Sequence, residues 1–274
     1  MRDLDGRTAL VTGAGKGIGR AIAVELARLG ARLVLCDVDE PALEDARAAV
    51  DGTSHCLIAR RADVASEQEM RDFAAQVHEL VPAVDVLVNN AGVGLGGGLL
   101  DTSLEDWRWV LGVNLWGVIH GCHFFVPPMV ARGAGGHVVN VSSALGFYGQ
   151  AGVIGYVTSK FGVLGLGESL RGELAPHGIG VSTICPGIID TAIISTARFR
   201  GTDNPDGVRT QVGELFKRRR YGPERVARAV VRAVRRNEPI VPVAPEAWAL
   251  YFMKRIAPSL GSSVSRFIER HVGL

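Results

Sequence analysis

The sequence has 274 residues, of which 47% are apolar and 21% charged, and its formal net charge is +2 at pH 7. This composition is typical of a folded globular domain and excludes disorder over most of the chain. The small net charge argues against a dedicated nucleic-acid-binding protein. No apolar run approaches the roughly 20 residues of a membrane span. The charged start, Met1–Gly6, does not resemble a secretory signal.

The four cysteines lie far apart along the chain, without a C-x-x-C pair: Cys36, Cys56, Cys122 and Cys185. This spacing fits neither a zinc site nor a disulfide framework, so we predict reduced thiols in a cytoplasmic protein. The histidines show no metal-ligand spacing either, and we predict no metal site.

Short apolar runs alternate with amphipathic segments along the chain, which predicts alternating strands and helices. We predict seven strands, at Arg7–Thr12, Arg32–Cys36, Cys56–Ala59, Asp85–Val88, His137–Val141, Val181–Cys185 and Ile240–Val243. Strands joined by crossover helices must run parallel. The sequence therefore predicts an α/β fold: a Rossmann-type doubly wound parallel sheet of about seven strands, with helices on both faces.

A glycine-rich run, T-G-A-G-K-G-I-G at 12–19, joins the first predicted strand to the first helix. Gly13 and Gly17 allow a tight turn that approaches a pyrophosphate, and Gly19 allows close packing of the helix. The N-terminus of the helix offers N–H groups and a positive dipole end to phosphates. In this context the run predicts a dinucleotide site. The other residues of this loop that we assign to the site are Gly15, Lys16 and Ile18.

Asp37 lies at the end of the second predicted strand, which follows the glycine run and its helix. A carboxylate there accepts hydrogen bonds from ribose hydroxyls and repels a 2′-phosphate, which favours NAD over NADP. Lys16 is the opposing feature, because an ammonium in this loop can meet a 2′-phosphate. We interpret Lys16 as a surface lysine and keep NADP as the alternative cofactor.

A tyrosine and a lysine, Tyr156 and Lys160, lie one turn apart on a predicted helix and so share a face. A nearby ammonium and an oxidised nicotinamide would lower the tyrosine pKa from its usual value near 10. A tyrosine tuned in this way can exchange a proton with an alcohol or ketone oxygen. Ser143 ends the fifth predicted strand, where ligands bind in open parallel sheets, and can orient that oxygen. Ser142 is the competing serine.

Taken together, these motifs resemble the short-chain dehydrogenase/reductase family from about Leu4 to Val243. The pieces that match, in chain order, are Gly13, Gly17, Gly19, Asp63-Val64, Asn89-Asn90-Ala91-Gly92, Asn114, Ser143, Tyr156, Lys160, Pro186-Gly187 and Thr191. The resemblance implies an oxidoreductase that uses NAD or NADP to interconvert an alcohol and its carbonyl. The family spacing between the serine and the tyrosine selects Ser143 over Ser142.

The resemblance also implies roles for residues outside the catalytic pair. Asn114 would hold a water that relays protons from the lysine to solvent; the alternative is a polar residue at a local kink. Asp63 and Val64 would flank the adenine. The contacts implied for the adenosine ribose and the nicotinamide end are Asn90, Ala91, Gly92, Pro186, Gly187, Ile189 and Thr191.

In the family, the segment 188–221 covers the substrate. Here it is rich in apolar residues, which favours a lipophilic substrate, although packing on the core is the alternative. The apolar residues are Ile193, Ile194, Phe199, Val208, Val212, Leu215 and Phe216.

The chain departs from the family after Val243. We predict one domain over 1–243 and a helical C-terminal extension over 244–274, packed on the same domain or on a partner subunit. Contact of its aromatic and basic run, 247–255, with an anionic membrane surface is the alternative.

We therefore predict an NAD-dependent oxidoreductase of a lipophilic alcohol, ketone or aldehyde, acting as a cytoplasmic homodimer or homotetramer. The first alternative is an NADPH-dependent carbonyl reductase. A non-catalytic dinucleotide sensor is the alternative from another class, but it would have no need of Ser143, Tyr156 and Lys160.

Overall fold

A computed structural model describes residues 1, 3–51, 56–191, 193–219 and 221–256 of the chain. Its strands, in chain order, are β1 Thr8–Thr12, β2 Arg32–Asp37, β3 Cys56–Arg61, β4 Val86–Asn89, β5 Leu95–Gly96, β6 Gly136–Val141, β7 Ile179–Pro186, β8 Arg198–Phe199 and β9 Ile240–Val243. Seven of them form one sheet in the order β3-β2-β1-β4-β6-β7-β9. Every neighbouring pair in this sheet is parallel, which confirms the predicted fold class.

Helices connect these strands and cover both faces of the sheet. Their bounds are α1 Gly17–Arg28, α2 Glu40–Asp51, α3 Glu67–Leu80, α4 Leu104–Leu111, α5 Gly117–Arg132, α6 Ile154–Leu174, α7 Pro205–Arg218, α8 Pro223–Arg236 and α9 Pro245–Ile256. A π-helical turn, Gly112–Trp116, joins α4 to α5. We predicted a loose segment where α7 and β8 lie, so these two elements are additions to the prediction.

Alternate residues of the strands build a separate core on each face of the sheet. Val11 of β1 faces α1 and α8. Ile22 of α1 and Val230 of α8 are fully buried in this layer. Leu10 faces the opposite layer, where Phe125 of α5 is fully buried. Burial on both faces explains why the strands read as continuous apolar runs rather than as an alternating pattern.

The continuous helical stretch Leu104–Arg132 is, by length and composition, apolar enough to cross a membrane. Half of its most apolar window is buried inside the fold, as in the core helix of a globular domain. Polar residues such as Asn114 interrupt the apolar runs of this stretch, so the sequence did not predict it as a membrane span. Composition alone is therefore weak evidence for a span here.

The described part of the C-terminal extension packs on the domain that precedes it. Ala247 of α9 is fully buried. The ring of Tyr251 lies edge-on to Phe147, with 5.1 Å between ring centres, and Lys254 lies 5.8 Å above the ring of Phe161. Contact with the same domain is thus present over Pro245–Ile256, while 257–274 lies outside the described residues.

The strand order reverses between β1 and β4, because the chain builds outward from this pair in both directions. Ligands of open parallel sheets bind at such a switch point, beyond the carboxyl ends of the strands. The residues that follow β1, β2, β4, β6 and β7 therefore define where a functional site is expected.

Candidate active site

The glycine run forms a tight turn between β1 and α1. Gly13 has φ +62° and Gly17 has φ +54°, both in the left-handed region that glycine adopts without strain. A Cβ on Gly13 would lie 2.8 Å from the Cα of Ala91, and one on Gly19 would overlap the carbonyl of Gly13. The turn and the close helix packing therefore both depend on glycine.

The N-terminus of α1 is open for an anion. Its N-cap residue, Lys16, makes no side-chain capping hydrogen bond, and the first turn, which includes Ile18, contains no acidic residue. The free N–H groups and the helix dipole favour negative charge at this point. A Cβ on Gly17 would lie 3.4 Å from the Cβ of Thr191, so the turn after β7 lies across from this helix end.

Asp37 lies at the end of β2 beside the glycine turn. Its Oδ2 accepts a hydrogen bond from the N–H of Gly15 at 2.8 Å, and its Oδ1 accepts one from the N–H of Asp39 at 3.0 Å. The carboxylate is partly exposed, so it can also accept hydrogen bonds from a ribose. Its position fits the adenosine end of a dinucleotide.

Lys16 does not point freely into this site. Its Nζ lies 2.6 Å from Oδ2 of Asp39 in an exposed ion pair. The ion pair raises the pKa of Lys16 and lowers the pKa of Asp39. Asp39 was not among the predicted site residues. Its carboxylate neutralises Lys16, the residue that favours NADP.

Asn90 connects the end of β4 to the glycine turn. Its Nδ2 donates to the carbonyls of Thr12 at 3.0 Å and Gly13 at 3.1 Å. The Thr12 hydroxyl accepts from the N–H groups of Asn90 at 3.0 Å and Ala91 at 3.1 Å. Next to this connection, a Cβ on Gly92 would lie 3.4 Å from both Asn114 Oδ1 and Lys160 Nζ. The residues predicted to bind the cofactor and those predicted to act in catalysis thus meet at Gly92.

Asp63 and Val64 follow β3 and lie beside α5. The Oδ1 of Asp63 accepts from the N–H of Ala65 at 2.9 Å. The carbonyl of Val64 lies 2.8 Å from His120 Nδ1, which must carry the proton of this hydrogen bond. The Val64 side chain is buried, whereas Asp63 stays partly exposed.

The Ser143 side chain lies beside Tyr156, close enough to act on the pKa of the tyrosine. The neighbouring Ser142 instead donates to the carbonyl of Lys160 at 2.7 Å. Lys160 lies one helical turn after Tyr156, and its Nζ is 5.7 Å from the tyrosine ring centre. Nζ donates to the Val141 carbonyl at 3.1 Å. The structure therefore brings Ser143, rather than Ser142, to the tyrosine, while Ser142 binds the backbone of Lys160.

The pKa of Tyr156 is raised by burial, and the hydrogen bond with Ser143 opposes this shift. Burial also lowers the pKa of Lys160 to about 8, against a smaller opposing effect of Cys185. We predicted a lowered tyrosine pKa from the lysine together with the charge of an oxidised nicotinamide; the groups of the chain alone give an upward net shift, because desolvation dominates at both residues. The nicotinamide charge in that prediction does not come from the chain.

Asn114 is fully buried in the π-helical turn between α4 and α5. Its Nδ2 donates to the Val93 carbonyl at 3.0 Å and to the Ser159 hydroxyl at 3.1 Å. Its Oδ1 accepts from the N–H of Val93 at 2.8 Å. The side chain thus ties the segment after β4 to α6, at a widened turn of the kind often found at functional sites.

Pro186 ends β7, and the segment that begins at Gly187 runs beside the end of β9. The N–H of Gly187 donates to the Val243 carbonyl at 2.9 Å. Ile189, predicted to contact the nicotinamide, has a side chain that is buried in the core layer beneath α1 and α8. The Ile189 side chain therefore packs in the core rather than beside Thr191, the residue that lies across from Gly17.

The glycine-rich loop after β4 pairs with the segment predicted to cover the substrate. β5 and β8 form a two-stranded parallel ladder, in which Leu95 aligns with Arg198. The buried carboxylate of Asp106 accepts from Arg200 Nε at 2.9 Å and Nη2 at 2.8 Å. Arg198 adds a 3.3 Å contact to Asp106 and stacks 3.9 Å above the ring of Trp109. No pattern in the sequence indicated these long-range contacts.

Within the described residues, no group of three or more His, Cys, Asp or Glu side chains is placed to hold a metal ion. All four cysteines lie in described parts of the chain and are free thiols.

Comparison with known proteins agrees with this geometry. A family profile described as "short chain dehydrogenase" matches residues 7–200. The probable oxidoreductase EphD of Mycobacterium tuberculosis is 43% identical over 260 residues, which cover 93% of this chain and 44% of EphD. This chain therefore spans less than half the length of that relative.

Two further relatives match over most of both chains. The C alpha-dehydrogenase of a Sphingobium species is 33% identical over 90% of this chain and 83% of that protein. The crystal structure of a short-chain dehydrogenase/reductase from Burkholderia phymatum in complex with NAD has a TM-score of 0.87 and 32% identity, covering 95% of this chain and 96% of that one. The chain belongs to the short-chain dehydrogenase/reductase family.

Proposed function

We propose that this protein is an NAD-dependent oxidoreductase that interconverts an alcohol and its ketone or aldehyde. The observation that carries the proposal is the grouping of Tyr156 with Lys160, whose Nζ lies 5.7 Å from the tyrosine ring centre, beside Ser143 and next to Gly92 and Asn114. The solved relative from Burkholderia phymatum holds NAD. The glycine turn, the open N-terminus of α1 and the Asp37 carboxylate fit the same cofactor.

In this proposal NAD⁺ supplies the hydride acceptor when it is bound. Ser143 donates a hydrogen bond to the substrate oxygen and orients it. Tyr156, as phenolate, takes the hydroxyl proton while the adjacent C–H bond gives up its hydride, so that the C–O bond becomes C=O. Protonated Lys160 stabilises the phenolate. Asn114 fixes the wall of the site next to Lys160 and would support the water through which the proton leaves.

A lipophilic substrate is the second part of the proposal. Helix α7 is amphipathic, yet none of its residues is fully buried. Val208, Val212 and Phe216 are each only partly covered. An apolar helix face that its own fold leaves partly open is suited to cover an apolar ligand.

The NADPH-dependent reductase is the less favoured alternative, because Asp39 neutralises Lys16 and Asp37 lies at the ribose position. The catalytic group also disfavours a sensor without turnover. We further propose that the enzyme acts in the cytoplasm as a homodimer or homotetramer, on a small molecule and without a nucleic-acid partner.

The decisive experiment is the variant Tyr156→Phe. We expect it to bind NADH like the parent and to lose at least about 10²–10⁴-fold in turnover, the usual contribution of acid–base catalysis. The assay would screen NAD⁺ reduction with alcohols of increasing chain length, including sterols and retinoids.

Tyr251→Phe is the matched control, because it removes a tyrosine hydroxyl but keeps the ring contact with Phe147. It should retain the parent rate. A Tyr156→Phe enzyme that keeps most of its rate would show that another group is the base.

A further inference from the structure

The substrate-covering segment leaves the sheet and returns to it through one narrow neck. The N–H of Asp190, just after β7, donates to the carbonyl of Tyr221, just before α8, at 3.0 Å. Everything between these two residues, including β8 and α7, therefore lies on a loop whose ends are joined by this hydrogen bond.

A carboxylate from the C-terminal extension holds both sides of this neck. Glu246 lies in the first turn of α9. Its Oε1 accepts a hydrogen bond from the N–H of Ile188 at 2.9 Å. Its Oε2 pairs with the guanidinium of Arg219. One side chain thus binds both the segment that leaves β7 and the segment that leads into α8.

The fit around this carboxylate is close. A Cβ on Gly187 would overlap the Glu246 carboxylate, so only glycine allows the chain to pass this near. The Glu246 side chain is 24% exposed. A charged hydrogen bond that is shielded in this way is stronger than one in open water.

The neck directly precedes the residues that face the cofactor. Ile188 lies shortly before Thr191, which is across from Gly17 at the open end of α1. A shift of the Ile188 backbone would move Thr191 relative to that helix end. Glu246 is outside the residues 7–200 that the family profile matches, so the profile provides no counterpart for it.

We propose that Glu246 is a positioning residue: through Ile188 and Arg219 it fixes the neck of the substrate-covering segment and sets residues 187–191 against the nicotinamide end of NAD. The inference rests on the proposed function only for the placement of the nicotinamide. It assigns a role in the site to the C-terminal extension.

The first test compares two ligands that differ in the nicotinamide alone. NADH and ADP-ribose would be titrated against the parent and Glu246→Ala, NADH by its own fluorescence and ADP-ribose by displacement of NADH. We expect the Kd of NADH to rise about tenfold, the order of one hydrogen bond to a charged group, while the Kd of ADP-ribose stays within about twofold. Glu246→Gln keeps an acceptor for Ile188 and should recover most of the NADH affinity.

The second test does not require any cofactor. The segment contains cleavage sites for trypsin at Arg198, Arg200, Arg209 and Lys217. In the absence of nucleotide, Glu246→Ala should be cut there at least about fivefold faster than the parent, because local opening controls the cleavage of a folded chain.

Glu238→Ala is the matched control for both tests. Its carboxylate pairs with Arg232 and is 27% exposed, nearly as covered as Glu246, but it lies away from the neck. This control should leave both the trypsin rate and the NADH affinity unchanged.

Each outcome decides the proposal. Unchanged cleavage and NADH affinity in Glu246→Ala would overturn it, as would an equal loss of NADH and ADP-ribose affinity, which indicates general damage. A protein that oxidises no alcohol would contradict the proposed function, whereas the trypsin comparison would still decide the role of Glu246.

Discussion

The ion pair between Lys16 and Asp39 bears on whether the adenosine end of the proposed cofactor site accepts the 2′-phosphate of NADP. Lys16 lies in the glycine turn, where a 2′-phosphate would approach, but its charge is matched by Asp39 at 2.6 Å. Asp37 adds a second carboxylate that is bound to the turn through Gly15. In the proposed function, selectivity for NAD would therefore rest on two acidic residues rather than on one.

Removing the charge of Asp39 should release Lys16. Asp39→Asn keeps an oxygen that can accept from the N–H of Ala42, which the parent residue binds at 3.1 Å. We expect the Kd of NADPH to fall by up to about fivefold, in line with the small energies of exposed ion pairs. The Kd of NADH should change by less than about twofold. Fluorescence titration of both nucleotides measures this ratio.

The double variant with Lys16→Gln is the control for this prediction. The gain in NADPH affinity should disappear, because the released ammonium is its cause. A gain that persists without Lys16 would assign the effect to Asp37 or to the backbone of the turn.

Lys160 makes the stability of the nucleotide-free protein depend on pH. Burial lowers its pKa from 10.5 to about 8 in the folded state. Between these two values the unfolded chain binds more protons, so the free energy of unfolding rises with pH in this window. The variant Lys160→Met lacks this contribution.

We therefore expect the stability difference, Met variant minus parent, to decrease as pH rises from 7 to about 10.5. The decrease should approach about 3 kcal/mol, since one pKa unit corresponds to about 1.4 kcal/mol. Urea unfolding of both proteins at several pH values measures it. A constant difference across this range would show that Lys160 has an ordinary pKa in the folded protein.

Among the elements, β8 is connected to α4 by charge. The Asp106 carboxylate is 3% exposed and binds Arg200 and Arg198 of the covering segment. The hydrogen bonds from Arg200 hold the pKa of Asp106 well below its usual range. These contacts keep β8 next to β5, although the ladder between them is very short.

Asp106→Asn should loosen this ladder without unfolding the sheet. A neutral amide leaves Arg200 without its counter-charge, at a cost of about 1–3 kcal/mol. We expect faster amide hydrogen exchange at Arg198 and Arg200, whose N–H groups donate to Gly94 and Gly96. Exchange in β1 should stay unchanged and serves as the internal control. Uniform acceleration would mean that Asp106 supports the whole fold.

The main sheet could be predicted from sequence because most of its strands are buried on both faces and read as apolar runs. β5 and β8 are too short for any pattern. α7 begins at Pro205, directly after Asn204, and this pair reads as a loop, although Asn204 caps the helix by accepting from the N–H of Gly207. Gly207 and Gly213 within α7 also disfavour a helix in the sequence.

In the candidate site, too, some residues could be predicted from the sequence and others could not. Tyr156 and Lys160 are neighbours in sequence and could be paired on a helix face. Asp106 and Glu246, by contrast, bind partners from distant parts of the chain. Such contacts depend on the fold and leave no periodic signal in the sequence.

For the molecule as a whole, α9 both binds the two sides of the neck and presents a partly exposed surface. Tyr251 packs on Phe147, whereas Trp248, Phe252 and Ile256 are 42%, 51% and 79% exposed. These three residues follow one another at intervals of one helical turn and therefore lie on one helix face. The packed face favours a structural role for the extension over membrane contact.

We expect truncation before Pro245 to cost about 2 kcal/mol or more in stability, or to change the oligomeric state, because it exposes the surface that Ala247 and Tyr251 cover. Thermal unfolding and light scattering would measure both quantities, with Glu246→Ala as the control for the loss of Glu246 alone. Salt-sensitive binding of the intact protein to anionic liposomes, absent after truncation, would instead support membrane contact.

The strand order also determines when the site can assemble during synthesis. β1 pairs with β4, so the nucleotide-binding half can close once the chain has passed Asn89. Lys160 is made well after Asn89, and at roughly 5–20 residues per second on the ribosome this interval lasts several seconds. A nascent chain thus has the proposed dinucleotide cradle before it has the residues of the proposed catalytic group. Glu246, which binds both sides of the neck, is added later still.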